Sequence, residues 1–142
     1  MQMDTMRPFS QAIEQMRKVG LRPTRQRLAL AKLLFDKGDR HVTAERLHVE
    51  ALAASVRVSL ATVYNTLHQF TTAGLLREIV VDSGRSYFDT NTTDHHHFYF
   101  QDGGRLEDIC GDGIVVTGLP SPPDGTAVTC VDVIVRVGDQ KK

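Results

Sequence analysis

Paired cysteines, long apolar runs and an excess of either charge are all missing from this chain of 142 residues. Cys110 and Cys130 are its two thiols and no Cys-x-x-Cys spacing exists, which argues against a cysteine zinc clamp or a redox dithiol and leaves two buried thiols as the expectation. No stretch is long and apolar enough to span a membrane. The first twenty residues carry Asp4, Glu14, Arg17 and Lys18 without an uninterrupted apolar core, so neither a secretory signal nor a stop-transfer segment is read there, and a cytoplasmic location is expected. The length suits one ordinary domain or two small ones, and a hydrophobic fraction of 41% is that of a globular protein.

The net charge of zero conceals a division. Residues 1–90 hold thirteen Lys/Arg against nine Asp/Glu, and residues 91–142 hold four against eight. The basic part is concentrated further: Arg17, Lys18, Arg22, Arg25, Arg27 and Lys32 fall between Gln15 and Phe35, a stretch without a single acid. Such a cluster can be an ordinary solvated helix face, but six uncompensated cations in so short a span favour contact with a polyanion, and nucleic acid leads.

The basic part reads as short amphipathic helices. Phe9, Ile13 and Met16 make one stripe, stopped by Gly20; Pro23-Thr24 introduces a second helix with Leu28, Leu30, Leu33 and Leu34, closed by Gly38. Thr43 caps a third carrying Leu47, Ala51 and Ala54, and after a very short turn Ser59 caps a fourth carrying Leu60, Val63, Leu67 and Phe70, ended by Gly74. Leu75–Val81 and Arg85–Asp89 then flank Asp82-Ser83-Gly84 as a β-hairpin. Helices followed by a hairpin describe a winged helix. With its apolar stripe inward, the fourth helix turns Ala61, Tyr64, Asn65 and His68 outward, where a recognition helix meets the major groove. Asn bonds bidentately to adenine, Tyr reaches a phosphate or a thymine methyl, and the small Ala61 permits close approach. A solvated face of a small helical domain is the bland alternative.

Half of the six histidines stand together in Asp94-His95-His96-His97-Phe98-Tyr99-Phe100. In an extended chain His95 and His97 share one face and His96 takes the other, so two imidazoles converge as a metal or haem site needs. Taken alone, the triplet reads equally as a polar surface turn.

These motifs together resemble the ferric uptake regulator family: Gly20-Leu21-Arg22-Pro23-Thr24-Arg25-Gln26-Arg27, then Ser59-Leu60-Ala61-Thr62-Val63-Tyr64-Asn65-Thr66-Leu67, then His95-His96-His97, in the family's order and spacing. The Asp-His-His-His-Phe form and the lack of cysteine pairs look most like its iron response regulator branch, which senses iron status through haem. The resemblance covers nearly the whole chain, more loosely over the last fifty residues. It implies a homodimeric, cytoplasmic transcription regulator that binds double-stranded operator DNA, holding it when iron is scarce and releasing it as haem accumulates. An α+β fold is implied, with a winged helix-turn-helix DNA-binding domain over 1–90 and a small α/β dimerisation and sensing domain over 91–142. Tyr64 and Asn65 would lie on the recognition helix, and Arg22 would reach an adjacent minor groove, where a narrow A·T tract concentrates negative potential. The family's interdomain metal ligands match His41, Asp89, His95, His97 and Asp108, with Asp in two places where Glu is common. Iron, manganese and zinc are the candidate ions. Even without the family the set is sensible: His41 opens a helix, Asp89 ends the wing and His95/His97 follow the hinge Thr90-Asn91-Thr92-Thr93, so one ion can tie two domains.

Departures from the family pattern sharpen the expectation. Phe100-Gln101-Asp102-Gly103 stands where many members place Cys-x-x-Cys, so no four-cysteine structural zinc is expected. A second metal site at Asp94, His96 and Asp132 lacks a further ligand. Without a Cys-Pro dipeptide, haem would rely on His95, His96 and His97. In the acidic part, His97–Phe100 and Leu106–Ile109 pair across Asp102-Gly103-Gly104, and Ala127–Val137 is read as a longer strand with one buried face of Val131, Val133, Val135 and Val137. Leu119-Pro120-Ser121-Pro122-Pro123-Asp124-Gly125 is too proline-rich for a full helix. So thin a sheet calls for a two-fold partner, and the tail Gln140-Lys141-Lys142 is expected to fray. An enzyme is not expected: a metallohydrolase would need an open metal position, a placed base and catalytic loops. A haem or metal carrier leaves Arg22, Tyr64 and Asn65 unexplained; a family member that senses manganese, zinc or peroxide in place of haem is the second reading.

Overall fold

The computed structural model describes residues 8–82, 84–110 and 113–140; Asp4 near the start, Ser83 in the hairpin turn and Lys141-Lys142 in the tail lie outside them. The chain forms two compact units, Met1–Thr92 and Thr93–Lys142.

In the first unit the elements run α1 (Pro8–Lys18), α2 (Arg25–Phe35), β1 (His41–Val42), α3 (Ala44–Ala53), α4 (Leu60–Thr72), β2 (Arg77–Asp82) and β3 (Arg85–Asp89). Three helices start where a side-chain oxygen satisfies an otherwise orphaned amide. Thr24 accepts from the Arg27 N–H at 3.3 Å, Thr43 from Arg46 at 3.1 Å and Ser59 from Thr62 at 3.0 Å. Removing such a cap costs about 1 kcal/mol. At the other ends, Gly20 and Gly74 take φ of +78° and +82°, letting the Leu21 amide reach back to the Met16 carbonyl at 2.8 Å and the Leu75 amide to Phe70 at 2.9 Å. Ser55 closes α3 in the same left-handed region with φ of 63°, which a non-glycine residue adopts only with strain.

The apolar stripes of the four helices meet in one core, where Met16, Leu30, Leu34, Leu47, Leu67 and Phe70 are fully buried. The hairpin β2–β3 pairs antiparallel and packs Phe88 into that core. This is the winged helix-turn-helix arrangement expected of the sequence, with one addition. Strand β1 joins the far side of β3, giving the order β1-β3-β2. His41 therefore stands in a strand and does not open a helix; α3 starts later, after the Thr43 cap.

In the second unit, β4 (His96–Phe100) pairs antiparallel with β5 (Arg105–Ile109) and parallel with β6 (Ile134–Val137). The long return needed to bring β6 alongside β4 in parallel passes through β5, and between β5 and β6 no helix or further strand occurs among the described residues. The expected strand Ala127–Val137 is much shorter than its alternation indicated. β4 offers partners only from His97, opposite Ile134, to Phe100, opposite Val137, so most residues before Ile134 find no ladder. Val131, Val133, Val135 and Val137 are half-buried, not a fully covered face. Cys110 and Cys130 are both exposed, against the expectation of buried thiols, because each lies just outside the short strands that make the sheet.

Candidate nucleic-acid interface and metal ligands

Helix α4 exposes the residues its pattern predicts. Ala61, Asn65 and His68 are exposed while Val63, Thr66, Leu67 and Phe70 are buried, so one stripe packs and the opposite one faces out. Tyr64 is half-buried and held. Its hydroxyl donates to Oε2 of Glu45 on α3 at 2.9 Å, and its ring lies nearly parallel to the His68 imidazole at 6.4 Å and 17°. His68 in turn meets Phe88 of β3 edge-on at 5.4 Å. The Tyr64 hydroxyl titrates above the ordinary phenol value, first because of the hydrogen bond to Glu45, then through burial and the carboxylate charge.

Arg22 is exposed on the loop between α1 and α2, and that loop is fixed from within. Arg27 donates from one guanidinium nitrogen to the Arg22 carbonyl at 2.8 Å and from Nε to Gln69 of α4 at 3.2 Å. The sequence counted Arg27 among the free cations; the structure makes it a strut between loop and helix. Arg17, Lys18, Arg25 and Lys32 remain exposed. Nearby, Arg40 grips Glu50 with two hydrogen bonds of 3.0 and 2.7 Å, and Arg46 adds a third at 3.1 Å. The Arg40 hydrogen bond holds the Glu50 carboxyl below its ordinary value despite the opposing effect of burial, with the charges of Arg40 and Arg46 helping.

The predicted metal ligands come from both units. In the first, His41 of β1 stands directly opposite Asp89 of β3 in the sheet register, and its ring meets Tyr87 edge-on at 6.2 Å. Asp89 is buried, and its Oδ1 accepts the Asn91 amide at 2.9 Å. In the second unit, His97 lies opposite Asp108 across β4 and β5. Nε2 of His97 is 3.3 Å and Nε2 of His95 3.4 Å from the same Asp108 Oδ1, and these ligand atoms all lie within 4.8 Å of one another. His97 is 1% exposed. Nδ1 of His95 lies 2.6 Å from the Thr93 carbonyl, which can only accept, so Nδ1 carries a proton and Nε2 is the ring nitrogen that faces Asp108. With Nδ1 engaged by Thr93, Nε2 is the atom a metal ion would take, and two imidazoles with a carboxylate are a donor set suited to iron, manganese or zinc.

His96 does something else. Nδ1 accepts the Val133 amide at 3.1 Å, so in the neutral ring Nε2 carries the proton and has no lone pair for a ligand. The strand sends His96 to the face opposite His97, as extended backbone dictates. Asp132 lies beside the Cys130 thiol, with Sγ 3.9 Å from Oδ2. Glu45 was missed by the sequence reading: an acid in the first turn of a helix looks like a dipole partner, and nothing in the local pattern links it to Tyr64, nineteen positions away.

Comparison with known proteins places these features in context. The model of the ferric uptake regulator family matches residues 18–117. The ferric uptake regulation protein of Shigella flexneri is 33% identical over 100 residues, which cover 70% of this chain and 68% of that protein. The peroxide-responsive repressor of Staphylococcus epidermidis is 32% identical over 101 residues, 71% of this chain and 67% of its own. Among solved structures, the ferric uptake regulator of Vibrio cholerae superposes with a TM-score of 0.72 over 89% of this chain and 98% of that one, at 22% identity, and so speaks to the fold.

Proposed function

The chain belongs to the ferric uptake regulator family, and from that premise we propose that it is a homodimeric, DNA-binding transcription regulator of the cytoplasm, not an enzyme, whose hold on its operators depends on a divalent ion. The observation that carries the sensing half is the convergence of His95 and His97, one of them buried and the other held at Nδ1 by the Thr93 carbonyl, on a single oxygen of Asp108. The reading half is supported by the outward Asn65 on α4 and by the exposed Arg22 on a braced loop.

In this reading His41 and Asp89 complete the ligand set begun by His95, His97 and Asp108. A bound ion there neutralises the two carboxylates and couples metal affinity to domain geometry. The protein's own part is to hold the donors: Thr93 holds His95 at Nδ1, and the sheet registers hold His97 against Asp108 and His41 against Asp89. The first unit also supplies a route toward DNA. Phe88, next to Asp89 on β3, packs edge-on against His68 of α4, so a shift of that strand is felt at the reading helix.

Haem sensing, as in the iron response regulator branch, is the narrower reading, with His95, His96 and His97 as its ligands. In its favour, Phe98 is 36% exposed on the same strand face as His96. The small-ion reading fits more: the three imidazoles divide between two faces, and His96 has the wrong tautomer for an axial ligand. Response to peroxide, the role in the name of the Staphylococcus epidermidis relative, fits the same ion site.

Titrating duplex selected from a random pool into chelator-treated protein, with and without manganese, zinc or haem, tests this. The expected result is a shift in DNA affinity of about 5- to 150-fold with one of the ions, lost in His97→Ala. Asn65→Ala should relax base preference by about 1–3 kcal/mol at one position, whereas Arg22→Ala should weaken binding to all sequences and lower the salt slope by about 1. Affinity unmoved by any ion, with a response to haem that vanishes in His95/His96/His97→Ala, would transfer the sensing role to haem.

A further inference from the structure

We propose that Glu45 sets base specificity, by taking the only proton of the Tyr64 hydroxyl so that Tyr64 reads a base carrying an amino group, adenine or cytosine. The inference rests on the DNA-binding reading of α4 above.

A phenol has one hydrogen and two lone pairs. At 2.9 Å that hydrogen points to Glu45 Oε2, which, being a carboxylate oxygen, can only accept. The oxygen that Tyr64 offers to a groove is therefore an acceptor. The carboxylate keeps the phenol protonated, since it holds the hydroxyl above its ordinary pKa. A phosphate oxygen is also an acceptor and is negative, so beside Glu45 it meets neither a donor nor a favourable charge. In the major groove the choice is then set by the base edge: adenine N6 and cytosine N4 donate, whereas guanine O6 and thymine O4 accept. On one side the ring is bordered by His68, which lies nearly parallel to it and is itself packed edge-on against Phe88. For the hydroxyl, this takes the place of the expected phosphate contact; a contact of the ring with a thymine methyl does not depend on the hydroxyl proton.

The experiment is selection from a random duplex pool, with manganese present, by wild type, Glu45→Ala, Glu45→Gln and Tyr64→Phe. Wild type should show one position per half-site where an amino base on the contacted strand is preferred by about tenfold. Glu45→Ala releases the phenol proton and should reverse that preference toward guanine or thymine. Glu45→Gln, whose amide oxygen still accepts the proton, should keep the wild-type preference. Tyr64→Phe should show none. A second measurement does not depend on Glu45→Ala folding well. In the selected site, replacing the preferred base by its analogue without the amino group should weaken wild type about tenfold and leave Tyr64→Phe unchanged. Equal preference in wild type, Glu45→Ala and Tyr64→Phe, or a change confined to the salt slope, overturns the role of Glu45 while DNA binding stands. Selection of no sequence at all by wild type overturns both.

Discussion

The first unit buries Met16, Leu30, Leu34, Leu47, Leu67 and Phe70 in a core closed by helix caps, glycine turns and a hairpin. Of the buried apolar side chains described, only Tyr99 and Leu106 belong to the second unit, where Val115, Leu119 and Val128 are more than half exposed. One region carries its own stability; the other is a thin sheet with uncovered apolar surface. A polar site sits in each, but the His95, His97 and Asp108 constellation stands on the sheet that has least to hold it. That contrast is physically sensible for a sensor, since an element with little intrinsic stability responds most to ligand binding. It also supports the proposed dimer, because a second copy is the natural cover for the open surface.

Core truncation should separate the regions most sharply. Phe70→Ala, at a fully buried position, should cost about 3–5 kcal/mol at every protein concentration, read by loss of helical ellipticity on heating. Tyr99→Ala should cost less in dilute protein and should steepen the dependence of the melting midpoint on concentration. Equal, concentration-independent losses would end the distinction between a self-sufficient unit and one that needs a partner.

Metal should act on the weaker region. Manganese or zinc at a hundred times its Kd should raise wild-type stability by about 2.7 kcal/mol in a denaturant titration. His97→Ala and Asp108→Ala should abolish the gain, and His96→Ala should keep it. A gain that survives loss of His97 would place the ion elsewhere.

A smaller effect belongs to the first unit alone. Arg40 holds the Glu50 carboxyl below its ordinary value, so this contribution is complete above the usual carboxylate range and disappears as pH falls through the lowered value. Glu50→Gln should lower stability at neutral pH by about 1 kcal/mol and flatten the acid limb of the stability profile. A variant whose acid limb matched wild type would assign that loss to other carboxylates. Least of all should Phe98→Asp disturb the helical unit: its melting should move by less than about 0.5 kcal/mol, while sedimentation should change from dimer to monomer. A persistent dimer would move the interface to another face.

Much of the first unit was legible because its signals are local. Thr24, Thr43 and Ser59 each cap the helix they precede, Gly20 and Gly74 end theirs, and the stripe of α4 leaves Asn65 exposed. The alternation at His95–His97 likewise foretold that two imidazoles would share a face, and both stand against Asp108. Strand β1 was invisible: two residues carry no periodicity, and His41 joins the sheet only because β3 passes beside it. The Ala127–Val137 pattern misled for the complementary reason. Alternating valines describe an extended chain, but a strand exists only where a neighbour offers hydrogen bonds, and β4 offers them from His97 to Phe100.

What the sequence determined by itself, then, was whatever depends on neighbours within a turn or two along the chain: helix limits, the buried stripe, the alternation of the histidines and the basic character of the first unit. Only the tertiary structure decided which polar groups meet. Tyr64 with Glu45, Arg27 with Gln69 and His95 and His97 with Asp108 join residues distant in sequence, and proton positions follow from those meetings. The physical reason is that hydrogen bonds and metal geometry are set by distances of a few ångströms between side chains, and those distances exist only after the helices and strands have packed.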